Sequence, residues 1–110
     1  WENNSVQDSI DCYNLAIETD PNYDIAQNNL GVIYLDTLND VGRAMTFFKN
    51  AVGLNQNYTL AHFNLGRCYA LLNRKIDAAN EFQRAIDLNK MTNEIDEEII
   101  QDKLFELFRA

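Results

Sequence analysis

Two asparagines are the residues of this chain whose chemistry is most sharply placed. Asn29 and Asn64 stand 35 residues apart, and each opens the same string, Asn-Leu-Gly-x2-Tyr. A side-chain amide offers donors and an acceptor together. A spaced pair of amides can therefore grip the backbone of an extended peptide without reading its sequence. The inventory for reaction chemistry is thin by comparison. His62 is the single histidine, and on an apolar helical stretch a core role is expected of it. Cys12 and Cys68 have no metal-like spacing, and each sits among apolar residues, where a thiol packs as a small hydrophobe. No Gly-rich phosphate loop and no nucleophile motif occurs. Glu97, Glu98 and Asp102 are read as a solvated acidic face rather than a cation site. The expectation is a binding surface with no catalytic residue, metal or cofactor.

The elements that position the asparagines repeat with them. Residues 26–34 return at 61–69. Ala44-x3-Phe48-x2-Ala51 returns as Ala78-x3-Phe82-x2-Ala85, and a looser copy, Ser9-x3-Tyr13-x2-Ala16, precedes both. A fixed period of this length marks a stacked array of helical units. Apolar residues step by three and four through Ile25, Ala26, Leu30, Ile33, Tyr34 and Leu38, and again from Val41 to Leu54. Helices are predicted over about 4–19, 22–37, 41–54, 57–72, 75–88 and 93–109. Asp20-Pro21 reads as an N-cap followed by a proline at the first helical position. Gly31 and Gly66 are 35 residues apart, but Ala51 and Ala85 only 34. One extra residue must lie between Tyr34 and Ala44, and the exposed turn is its expected place.

The last segment differs. Ile95, Ile99, Ile100, Leu104, Leu107 and Phe108 form one apolar stripe in a charged surround. Asn93 and Asp96 have capping-box spacing. A terminal helix that is apolar inside and polar outside suits the end of an array, so Ala110 is expected near that end. The abrupt start without Met suggests a piece of a longer protein.

Composition limits the partners. Nine basic and seventeen acidic residues give a net charge of −8. Nucleic acid and anionic membrane both require a positive footprint, and neither is expected. No apolar run approaches the roughly 20 residues of a membrane span. The two cysteines fit a reducing compartment, and a cytoplasmic location is expected.

These spacings resemble the tetratricopeptide repeat. The units read Asn29-Leu30-Gly31, Tyr34, Ala44, Phe48, Ala51, and then Asn64-Leu65-Gly66, Tyr69, Ala78, Phe82, Ala85. Asp20-Pro21-Asn22-Tyr23 and Asn55-Gln56-Asn57-Tyr58 take the place of the link between units. Departures are Gln27 and His62 where tryptophan is frequent, and Gln56 and Lys90 in place of the linking proline. The resemblance implies an all-α, right-handed solenoid of antiparallel helix pairs. Residues 1–110 would form a single domain: 4–23 the second helix of a truncated repeat, 24–58 and 59–92 full repeats, 93–110 a capping helix.

In this family the first helix of each pair lines a concave groove. Carried over, the peptide-binding residues would be Asn28, Asn29, Val32, Asp36, Phe63, Asn64, Arg67 and Leu71, and the two asparagines would be solvated until a ligand arrives. Asn29 and Asn64 are similar in placement to the asparagine ladder of protein O-GlcNAc transferases. The family's carboxylate clamp for Hsp90 and Hsp70 termini is not matched, because Val32, Glu94 and Glu98 fall where it needs basic residues. The implied function is a protein-interaction scaffold that binds a peptide or partner segment. Two alternatives stay open. One is the substrate-recruiting arm of a larger enzyme such as a glycosyltransferase, and the other is self-association through exposed repeat ends.

Overall fold

A computed structural model describes residues 2–109, with side chains from Ser5 onwards; Trp1 and Ala110 of the expected domain lie outside the described residues. The chain divides after Gln56 into two compact units. The first holds α1 (Glu2–Thr19), α2 (Asp24–Val32), a π-helical turn (Ile33–Thr37) and α3 (Val41–Leu54). The second holds α4 (Thr59–Leu71), α5 (Lys75–Thr92) and α6 (Glu97–Leu107). Among the described residues every regular element is helical, and none is long and apolar enough to cross a membrane.

Both units contain the same antiparallel pair, built on a glycine. Gly31 of α2 lies against the ring of Phe48 on α3, and Gly66 of α4 against Phe82 on α5. Both rings are fully buried, as are the alanines flanking them at 44, 51, 78 and 85. Only a missing Cβ lets a helix approach an aromatic ring this closely. Contacts then run in opposite directions along the pair. In the first unit Asn55 Nδ2 donates to Asp24 Oδ2 (3.0 Å), Asn50 Nδ2 to Gln27 Oε1 (3.2 Å), and Tyr34 stacks on Phe47 at 5.3 Å. In the second, the Thr59 and Thr92 hydroxyls are 2.5 Å apart and His62 Nδ1 is 2.7 Å from Glu81 Oε1. His62 is a buried core residue, as its apolar setting led one to expect. Cys68 is buried, but Cys12 is exposed, contrary to expectation.

The extra residue is not in the loop. Asp40 N–H donates to Tyr34 O (2.7 Å), whereas in the second unit Arg74 N–H donates to Tyr69 O (2.9 Å). The closing bond therefore spans six residues in one unit and five in the other. Asn39 and Asn73, both left-handed (φ 54° and 59°), mark equivalent exits. The additional residue is taken up between Tyr34 and Asn39 by widening the last helical turn, where Leu38 N–H donates to Ile33 O (3.1 Å). Deleting Thr37, which is exposed, should restore an ordinary turn and cost no more than about 1 kcal/mol. Deleting Leu72 from the second unit, where no residue is spare, should cost more than about 2 kcal/mol. Thermal denaturation of the two deletions checks the pair, and equal losses would refute the assignment.

Several boundaries differ from those predicted, each for a local reason. Asp20-Pro21-Asn22-Tyr23 is a turn and not a helix start. Tyr23 N–H donates to Asp20 O (3.0 Å) and Asp20 Oδ1 accepts from Asn22 N–H (3.1 Å), the arrangement proline favours at the second turn position. α5 runs one turn beyond 88, because nothing at Asn89-Lys90 breaks it. It ends at Asn93 in the left-handed conformation (φ 51°), so Asn93 is a C-terminal cap and not half of a capping box. The helix expected from 93 starts at Glu97, capped by Asp96 Oδ1 accepting from Glu98 N–H (3.1 Å). The acidic tail has local roles too. Glu94 Oε1 accepts from Leu60 N–H (3.1 Å) in the first turn of α4, where an anion is favoured.

The apolar stripe of α6 is narrower than predicted. Ile100 and Leu107 are buried and Leu104 is half-buried, but Phe105 and Phe108 are 69% and 62% exposed, and Ile99 is exposed as well. At 3.6 residues per turn, Ile99 and Phe108 fall on opposite flanks of the Ile100–Leu107 line. The outer side of α6 is thus not uniformly polar.

Candidate functional site

The eight residues expected to bind a peptide separate by unit. In the first unit, Asn28 is 1% exposed and Asn29 and Val32 are half-buried on α2. Asp36 is exposed on the π-helical turn. In the second unit, Phe63, Asn64, Arg67 and Leu71 follow one another along α4 with very different exposure. Phe63 is a core residue, its ring tilted against Phe82 at 5.6 Å. Asn64 is 2% exposed, Arg67 is half-buried and Leu71 is 65% exposed.

Asn64 is therefore not a solvated amide awaiting a ligand. Its Oδ1 accepts a hydrogen bond from Arg67 Nη1 at 3.2 Å. The two lie three residues apart, the spacing that brings helical side chains together on one face. An acceptor at this point draws the guanidinium back along α4 toward Asn64. The equivalence of Asn29 and Asn64 in sequence does not extend to their surroundings, since Asn29 keeps more access to solvent. Replacing Asn64 would disturb a buried hydrogen bond, so the expectation that both asparagines are solvated in the free protein does not hold for Asn64.

The accessible end of α4 forms one wall of a cavity of about 330 Å³. Arg67, Ala70 and Leu71 contribute from α4, Phe82 closes the floor from α5, and Lys103, Glu106 and Leu107 form the facing wall on α6. Packing of α5 on both helices sets this geometry. Phe63, Ala78, Phe82, Ala85, Ile86, Ile100 and Leu107 make one buried cluster, with Leu60, Tyr69, Ala70, Ile95 and Leu104 against it. The cavity is an opening at the edge of that core. Lys103 Nζ lies 3.8 Å from Glu106 Oε2. The α6 residues of this wall were missed in the sequence. Their signal was present, because Lys103 stands between Ile100 and Leu107 and must flank the buried stripe.

Among the described residues no group of three His, Cys, Asp or Glu side chains is placed to hold a metal ion.

Models of the tetratricopeptide repeat match residues 25–58 and 59–91. The chain belongs to the tetratricopeptide repeat family. Several solved structures are similar over most of its length. The first repeat domain of Spaghetti (RPAP3), bound to the HSP90 peptide SRMEEVD, superposes with a TM-score of 0.82 at 23% identity, covering 96% of this chain and 79% of that one. The TPR2B domain of yeast Sti1 in complex with pHsp70 gives 0.86 at 12% identity, covering 96% and 85%. MamA gives 0.67 at 27% identity, covering 89% of this chain and 61% of its own. No curated protein sequence is similar enough to the chain to match it.

Proposed function

We propose that this chain is a protein-interaction module that receives an extended segment of a partner protein, and that in the second unit the segment is seated between α4 and α6. The observation that carries this reading is the cavity itself. It opens from the core with an apolar floor and wall, at Phe82, Ala70 and Leu107, and has charged groups at its rim. That combination of apolar surface with a few placed polar groups is typical of recognition sites. The family supports it, and two of its structurally similar members are seen with Hsp90 or Hsp70 ligands. Arg67 and Leu71 meet the segment, and Asn64 positions Arg67. Asn29, Val32 and Asp36 offer a separate surface on the first unit.

The test is mapping by nuclear magnetic resonance. Peptides selected from a random displayed library against the purified chain should shift the backbone amides of Arg67, Ala70, Leu71 and the middle of α6. Shifts confined to other surfaces, or a selection that yields no binder, would remove the proposal.

A further inference from the structure

We infer that the α4–α6 cavity selects a segment in which an internal carboxylate side chain, aspartate or glutamate, lies next to an apolar one. This rests on the peptide-binding reading above and goes further by naming the chemistry of the ligand. The charge of the site stands out against the charge of the chain. Acidic residues outnumber basic ones seventeen to nine, yet two of the three charged groups at this cavity are cations, one on each wall. Arg67 is held in place by Asn64. A guanidinium has five donors in a planar fork and can bond an amide oxygen and a carboxylate together. Lys103 reaches the same space from the opposite helix.

The apolar half of the specificity comes from Ala70, Leu71 and Leu107. Leu71 is 65% exposed at the rim, and burying it under a partner side chain removes apolar surface from water on both molecules. A carboxylate alone would leave this surface wet, and an apolar residue alone would desolvate the charged rim without offering it a polar group. The adjacent pair satisfies both. Glu106, the third charge, opposes an incoming carboxylate and so tunes the site. Arg67 is on α4 and Lys103 on α6, and neither is one of the positions at which the family holds a terminal carboxylate. Those positions carry Val32, Glu94 and Glu98 here. The ligand carboxylate is consequently a side chain and not a chain end.

The experiment uses the whole chain and a random peptide library flanked on both sides by carrier sequence, so that no free carboxyl terminus is offered. Selected peptides should be enriched in Asp or Glu beside Leu, Ile, Met or Phe. Changing the acid of a selected peptide to its amide should weaken binding about tenfold, as loss of a charge-assisted hydrogen bond does. Binding of the acidic form should also weaken as ionic strength is raised. Lys103→Gln, which does not touch Asn64, should shrink the acid-over-amide preference. Glu106→Gln should enlarge that preference. Arg67→Gln should remove most of it, and circular dichroism of each variant shows whether it is folded. Peptides that bind at α4 with no acid preference, or a preference untouched by Lys103→Gln, would overturn this inference while leaving the binding surface in place. Peptides that bind elsewhere, or none at all, overturn both.

Discussion

Gly66→Leu should unfold the second unit, or lower its melting temperature by roughly 10 °C or more, with or without a ligand. A Cβ built on Gly66 would stand 2.6 Å from Cε1 and 2.7 Å from Cδ1 of Phe82, well inside van der Waals contact. Phe82 is fully buried and packed against Phe63, so moving its ring away from a new side chain breaks core contacts. Even Gly66→Ala should destabilise. The gain in helix propensity is about 1 kcal/mol, and overpacking a closed core costs about 1–3 kcal/mol. Gly53→Ala supplies the opposite sign from the same exchange. Its added methyl meets nothing within 4 Å, so the helix should gain between a few tenths and about 1 kcal/mol. A suppressor makes the cause specific. Phe82→Leu removes the ring atoms that a Cβ at position 66 would strike. The double variant Gly66→Ala, Phe82→Leu should thus be more stable than the sum of the two single losses by at least about 0.5 kcal/mol. Additive losses in denaturant titrations would show that the glycine is not there to admit the ring.

The recurrence of this glycine and phenylalanine was legible in the sequence, although their contact is a fact of packing. Gly66 to Phe82 and Gly31 to Phe48 recur at a common offset but for the one extra residue, and small residues around a large ring have few other uses. The existence of that extra residue was legible for the same reason. Its location was not. A loop would accept it without altering any side-chain pattern, whereas a widened helical turn is set by which carbonyl Asp40 N–H finds. Periodicity does not encode that choice. The end of α5 escaped for a different reason. Asn89 and Lys90 stand where the first link has Asp20 and Pro21, but without proline no steric term stops the helix.

The candidate site was less legible than the fold. Asn64 was correctly placed on the first helix of its pair, but its burial depends on packing that a one-dimensional pattern does not contain. The pattern could not distinguish an amide that meets a ligand from one that orients Arg67. Equivalent positions in a repeat share backbone geometry and not neighbours. Lys103 and Glu106 were hidden because the last helix was read as a cover for the array, with its polar residues assigned to solvent. Their place at the cavity emerges only once α6 is laid against α5.

Asn89→Ala should cost about 2 kcal/mol, with the loss concentrated in α6. The Asn89 side chain, buried near the end of α5, clasps the following loop in two directions. Its Nδ2 donates to Ile95 O (2.6 Å) and its Oδ1 accepts from Ile95 N–H (3.0 Å). The amide thus satisfies both backbone groups of a residue that has left helix α5 and not yet entered α6. It also fixes the direction of the chain after the left-handed Asn93. Ile95 itself packs against the core, so releasing the clasp loosens an apolar contact as well. Asn89→Asp is the sharper probe. It keeps the acceptor for Ile95 N–H but sets a carboxylate oxygen against the Ile95 carbonyl in a buried place, and should cost at least as much as alanine at neutral pH. In hydrogen exchange, the amides of residues 97–107 should lose protection before those of α4. Helix propensity works against this effect, because alanine is the better helix former, so a measured loss understates the worth of the clasp. Should Asn89→Ala leave both the melting temperature and the exchange of α6 unchanged, the position of α6, and with it one wall of the proposed binding cavity, is set by Ile100 and Leu107 alone.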